Sequence, residues 1–118
     1  MATWFVSRHP GAVAWAASQG LQVDHLVQHL TATHVQNGDT VIGNLPVHLA
    51  AQVCARGAHF LNLSMDIPQH WRGLELSAAQ LQACNARLEA FRVYAIAASQ
   101  SGSLPETVNP AQNQPTAG

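Results

Sequence analysis

The sequence contains no lysine, and its five arginines stand against six acids. Charged residues amount to 9% of the chain, where a globular domain ordinarily carries about a quarter. A formal net charge of −1 excludes the broad basic face that neutralises a run of duplex phosphates. A small anion held by one or two arginines stays open. Long apolar runs are missing as well. None approaches the ~18 residues of a spanning helix, so no membrane partner is expected. Cysteine is scarce: Cys54 and Cys84 both fall on apolar helical stripes and read as reduced core thiols, not as a disulfide framework. The first residues carry no basic leader, and Ser7-Arg8-His9 interrupts the apolar start. We therefore expect no secretion signal and a cytoplasmic location.

What is present suits one domain. The 118 residues are 47% apolar, enough for a single sizeable core. Thr3-Trp4-Phe5-Val6 reads as a first strand. Pro10 suits the first turn of a helix, where its missing N–H costs nothing, and the Ala-rich run after Gly11 stops at Gly20. A second strand is expected from Val23 to Leu30, although its side chains do not alternate cleanly. Asn37-Gly38-Asp39 is a turn signal, and Thr40-Val41-Ile42-Gly43 reads as a third strand. Pro46 opens a helix over Val47 to Arg56, closed by Gly57. His59 to Met65 makes a fourth strand. Ser77 with Gln80 has capping-box spacing, and Leu81, Cys84, Leu88, Phe91 and Ala95 recur every three or four residues, which predicts a long amphipathic helix. From Ser99 onward Ser, Gly, Pro, Asn, Gln and Thr dominate. We expect a folded domain over 1–98 and a disordered tail over 99–118.

Strands alternating with helices predict an α/β fold: a small Rossmann-like, mainly parallel sheet of four strands flanked by helices, in the order 2-1-3-4. Ligands of such sheets sit beyond the C-terminal strand ends, where the winding reverses. That crevice brings Ser7-Arg8-His9 beside Asn44-Leu45-Pro46.

Three stretches there can carry chemistry. In Ser7-Arg8-His9-Pro10-Gly11, a strand end runs into a helix N-terminus, whose amides and dipole favour an anion. Arg8 adds a planar fork for phosphate, His9 exchanges protons near neutral pH, and Ser7 holds an oxygen or shapes the turn. In the plain structural alternative Ser7 or His9 only caps the helix and Arg8 is solvated. In Gly43-Asn44-Leu45-Pro46-Val47-His48, Gly43 permits close backbone approach, Asn44 caps the helix or reads a base or ribose edge, and His48 is a second proton carrier. After the fourth strand, Arg72 reaches for phosphate and Trp71 for a base. The alternative there is a packed loop with an Arg72–Glu75 pair. His25, His29, His34, His59 and His70 show no trustworthy metal spacing, so no metal and no cofactor is expected. Trp4 and Trp15 read as core aromatics, and Arg56, Arg87 and Arg92 as solvated helix residues.

Taken together these residues resemble a family. Thr3-Trp4-Phe5-Val6-Ser7-Arg8-His9-Pro10-Gly11-Ala12 with Trp15, then Gly38 through Ala51, then Arg72-Gly73-Leu74-Glu75-Leu76-Ser77, are similar to three blocks of small CRISPR-associated accessory proteins found with type III systems. The resemblance spans about residues 2–95. It implies a CARF-like domain and a ring nuclease, an enzyme that cuts cyclic oligoadenylate. In that chemistry a ribose 2′-OH attacks its own 3′-phosphate in line, leaving a 2′,3′-cyclic phosphate without any required metal. The expected catalytic residues are then Ser7, Arg8 and His9, with Gly11, Gly43, Asn44, Leu45, His48 and Arg72 binding substrate. A ring of four adenylates suits a homodimer that presents two copies of the site at or near its interface. Three alternatives differ in class. One is a cyclic-oligoadenylate sponge or sensor that does not cut. Another is a histidine-phosphatase-like phosphohydrolase using Arg8-His9, where Pro10 alters the expected turn. The last is a structural accessory subunit.

Overall fold

The computed structural model describes residues 1–96. The tail expected over 99–118 lies outside the described residues. Among the described residues eight strands and α-helices follow one another: β1 (Thr3–Val6), α1 (Pro10–Ser18), β2 (His25–Val27), β3 (Thr40–Gly43), α2 (Val47–Ala55), β4 (His59–Ser64), α3 (Ala78–Ala83) and β5 (Arg87–Phe91). They form one five-stranded sheet in the order β2-β1-β3-β4-β5. The first four strands are parallel and β5 runs antiparallel on the edge beside β4. The fold is α/β, with one strand more than the four expected.

Alternation along each strand divides the core. Phe5, Ile42 and Leu63 face α1 and α3, packing with Ala12, Trp15, Ala16 and Leu81. Val41 faces the other way, with Val35, Val53 and Ala58 beneath α2. The register sets Phe5 beside Ile42 and Ile42 beside Leu61, so each face is apolar across several strands. Two-sided burial is the reason these strands read as near-continuous apolar runs. β2 is the exception. It keeps only three residues, with His25 and Leu26 exposed on the sheet edge. Among the described residues no helix is long and apolar enough to cross a membrane.

The long helix expected through Ala95 does not form, and Asn85 is the reason. All three helices end alike, with a residue of positive φ just past the cap: Gly20 (73°), Gly57 (85°) and Asn85 (60°). At α3 the Ala86 N–H donates to Leu81 O at 3.1 Å and the Asn85 N–H to Gln82 O at 3.1 Å, the paired bonds of a Schellman stop. Asparagine tolerates this conformation better than other side-chain-bearing residues do. The apolar spacing beyond it belongs to β5. The capping box at the start of α3 is present: Gln80 N–H donates to Ser77 Oγ at 3.1 Å and Ser77 N–H to Gln80 Oε1 at 2.9 Å.

The antiparallel return of β5 sets the course of the chain before it. β5 begins opposite the end of β4, with Arg87 beside Ser64. Residues 65–86 are therefore an excursion that leaves and rejoins the sheet at one end. Asp66 closes its base, donating its N–H to Cys84 O at 2.8 Å and pairing its carboxylate with Arg87 at 3.4 Å.

Candidate functional site

The parallel register places Val6 beside Gly43 on one side and Val27 on the other. Three chain segments leave the sheet from these neighbouring C-terminal ends. Ser7, Arg8 and His9, then Gln28 and His29, then Asn44 and Leu45 line a cleft of about 420 Å³. Two nine-residue helices start at its edge, and neither carries a side-chain cap: His9 holds the cap position of α1 and Pro46 that of α2. At α2 the first amides, those of Val47 and His48, stay available to an anion. At α1 Pro10 has no N–H and the Ala12 N–H donates to His9 O at 3.0 Å. Arg8 is exposed and has no ion pair among the described residues.

A second cleft of about 220 Å³ adjoins the first and shares Ser7, His9 and Asn44 with it. Its other walls are mostly apolar: Leu63, Met65, Ile67, Leu74 and Leu76, with Glu75 at the rim. The excursion after β4 supplies five of these six. The same excursion delivers Glu75 to His9. The imidazole Nδ1 lies 3.0 Å from Oε2 and 3.2 Å from Oε1 of that carboxylate. A carboxylate accepts only, so Nδ1 carries the proton and Nε2 is left as the outward acceptor.

Ser7 organises the turn between strand and helix. Its N–H donates to Val27 O at 2.9 Å, and its Oγ accepts the His9 N–H at 3.1 Å. Asn44 ties the end of β3 to β4, donating from Nδ2 to Leu63 O at 2.7 Å and to Asn62 Oδ1 at 3.3 Å. Both amide hydrogens are thereby used, and Oδ1 remains as an acceptor.

A model of the family described as "Putative CRISPR-associated protein (Cas_VVA1548)" matches residues 4–94. The chain belongs to this family. The match runs from β1 to just past β5 and so includes every residue lining the two clefts. Searches of curated proteins and of solved structures return no match.

Measured against this geometry, the sequence expectations for this CRISPR-associated chain divide clearly. Ser7, Arg8, His9, Asn44 and Leu45 come together in the first cleft. The other four expected binding residues do not. Gly11 is packed against the Leu76 backbone, so closely that a Cβ there would overlap the Leu76 carbonyl oxygen. It fixes α1 against the excursion and offers no ligand surface. Gly43 is buried, and the backbone it approaches is that of Val6. His48 points away, lining a separate groove with Cys54, Arg92 and Tyr94. Arg72 is exposed and lines neither cleft, and Glu75, its expected alternative partner, pairs with His9 instead. Trp71 packs against the core and lines neither cleft. Asn44 does not cap α2, since Pro46 holds that position. Cys84 is buried, but Cys54 is only half-buried. Arg56 is not merely solvated: it donates to Val35 O at 2.7 Å and Thr33 O at 3.2 Å. Arg87 lies on β5, not on a helix, and pairs with Asp66.

Two residues enter that the sequence reading did not place. His29 lies two residues past the end of β2, a position that a parallel sheet brings to the same end as Arg8. Glu75 had no comparable signal, because its position depends on β5 turning back. Among the described residues no three His, Cys, Asp or Glu side chains gather as a metal site. The shifted carboxylate, Asp39, lies at the opposite end of the sheet. It is 2% exposed, and N–H groups of Ala2, Gln36 and Trp4 donate to it at 2.8, 2.9 and 3.1 Å. Those donors pull its pKa down to about 2. Asp39 fastens the N-terminus, Trp4 and the turn before β3.

Proposed function

We propose that this chain is a metal-independent ring nuclease of type III CRISPR immunity, with a CARF-like domain, that cuts cyclic oligoadenylate in the cleft at the ends of β1, β2 and β3. The observation that carries the reading is the His9–Glu75 pair beside an Arg8 that has no ion pair among the described residues. Membership of a CRISPR-associated family supports the biological setting.

A phosphodiester entering this cleft meets what in-line transfer needs. Arg8 faces the non-bridging oxygens and stabilises the charge that grows on them. Nε2 of His9, held by Glu75 through Nδ1, takes the proton from the ribose 2′-OH. The 2′ oxygen then bonds to phosphorus and the bond from phosphorus to the 5′ oxygen breaks. That oxygen takes a proton from His29 on the β2 side of the cleft. The products are linear, with 2′,3′-cyclic phosphate ends. Ser7 positions His9 through the backbone, and Asn44 offers Oδ1 to a ribose hydroxyl or base amine. Two copies related by a two-fold axis would match a four-nucleotide ring, one site to each half.

The test is product analysis. Purified protein is incubated with cyclic tetra-adenylate with and without EDTA, and products are identified by mass. Linear products ending in 2′,3′-cyclic phosphate, unchanged by EDTA, support the reading. Intact bound ring moves the protein to the sponge class, and loss of cutting in EDTA overturns the metal-free route.

A further inference from the structure

The apolar cleft shares its inner wall with the cleft assigned to phosphate, yet the mechanism makes no use of its interior. We infer that the 220 Å³ cleft walled by Leu63, Met65, Ile67 and Leu74 seats one amino-bearing nucleobase, whose own ribose and phosphate lie beside His9 and Arg8. The inference rests on the nucleotide reading above and deepens it from a phosphate site to a base-selecting one.

Continuity is the first argument. Ser7, His9 and Asn44 form a partition, with the cleft that holds Arg8, Gln28 and His29 among apolar neighbours on one side and a cleft without a cationic side chain of its own beyond that wall on the other. A nucleotide has the same division, a charged phosphate joined through ribose to a flat apolar ring. A 2′-OH at Nε2 of His9 directs one end of the ribose to each compartment. The lining is the second argument. Leu63 and Leu81 are 2% and 4% exposed and make a fixed floor, whereas Leu74 is 59% exposed although it belongs to the wall. A seated ring covers that leucine and removes its surface from water. The volume suits a single ring system and is too small for a docked protein segment.

The polar rim supplies the selectivity. Asn44 has both amide hydrogens committed to Leu63 and Asn62, so it presents an acceptor, and Glu75 presents carboxylate oxygens. Acceptors pair with an exocyclic amine such as the adenine 6-amino group. They oppose the carbonyl that hypoxanthine carries at that position, which would leave two acceptors facing each other.

The chain has two methionines, which makes the experiment direct. Met65 lies in the cleft wall, and Met1 is 99% exposed beside Gly38 at the far end of the sheet. With ¹³C-methyl methionine in the full chain, adenosine 2′,3′-cyclic monophosphate is the probe. The expected result is a saturable ring-current shift of the Met65 methyl while Met1 stays fixed. Ribose 5-phosphate should leave Met65 in place, and the inosine counterpart should bind at least about tenfold more weakly. Leu74→Ala should weaken the adenosine probe and leave ribose 5-phosphate binding unchanged. A Met65 signal unmoved at every adenosine concentration overturns the inference, as does equal binding of the inosine probe. Cleavage of cyclic tetra-adenylate is scored separately. Cutting with an unmoved Met65 defeats the base site alone, and a shifted Met65 without cutting defeats the nuclease alone.

Discussion

Gly43→Ala tests how tightly the site end of the sheet is built. Gly43 has φ of 153° and is buried where β3 meets β1. A Cβ there would lie 2.5 Å from the Val6 carbonyl oxygen and 3.3 Å from the Val6 Cβ. Both atoms belong to a central strand that has neighbours on each side, so they cannot step aside cheaply. Overpacking of this kind costs about 1–3 kcal/mol, and a backbone conformation reserved for glycine costs about 1–3 kcal/mol more. A combined loss of about 4 kcal/mol is a large part of the ~5–15 kcal/mol that holds a typical domain. At about 4–8 °C per kcal/mol for a domain of this size, the melting temperature should fall by roughly 16–32 °C. Gly20→Ala is the control, because it shares a positive φ of 73° but has nothing within 4 Å of the new methyl. Its cost is the left-handed backbone alone, about 1 kcal/mol. The assay is thermal unfolding of both variants followed by circular dichroism. A Gly43→Ala protein that melts no lower than Gly20→Ala would refute the close approach of the two strands, and with it the shared wall that Asn44 and Ser7 make.

Other contacts carry their own expected outcomes. Asp39 has its folded pKa below the ordinary 3.8, at about 2, so its contribution to stability is complete above about pH 4 and disappears as pH falls toward 2. Asp39→Asn should melt below wild type at pH 7, and the gap should narrow between pH 4 and pH 2; a constant gap contradicts the assignment. Glu75→Gln should lower kcat by about tenfold or more, while thermal stability barely moves because exposed pairs are worth only ~0–1 kcal/mol. Full activity in that variant removes Glu75 from the mechanism. His29→Ala should slow cutting of the natural ring by about 10²–10⁴-fold, yet restore near-normal rates on a ring whose scissile 5′ oxygen is replaced by sulfur, since a thiolate leaves without a proton. Equal loss on both rings excludes His29 as the acid.

The legible parts of this chain were those set by local chemistry. β1 and β3 are apolar, β-prone runs bounded by turn residues, and Pro10, Pro46, Gly20 and Gly57 mark helix limits by their own backbone requirements. From that much, the convergence of Ser7, Arg8, His9, Asn44 and Leu45 follows by topology. The illegible parts depended on tertiary partners. Asn85 stops α3 within a helical apolar rhythm that Leu88 and Phe91 continue by coincidence while serving a strand. Once β5 was missed, the excursion had no known direction, and Glu75 could not be brought to His9. The glycines misled for a different reason. Gly11 and Gly43 do permit close approach, but a sequence does not say whether the approaching group is a ligand or another part of the chain. Here it is Leu76 and Val6.

The measurement closest to the central claim is single-turnover cleavage of cyclic tetra-adenylate by wild type, Arg8→Ala and His9→Ala, with product ends identified by mass and each variant's fold checked by its melting temperature. The expected result is 2′,3′-cyclic phosphate ends from the wild type and rates at least about a hundredfold lower in both variants, each melting close to wild type because both side chains are exposed. Wild-type protein that leaves the ring intact, or a folded His9→Ala that cuts at full rate, contradicts it.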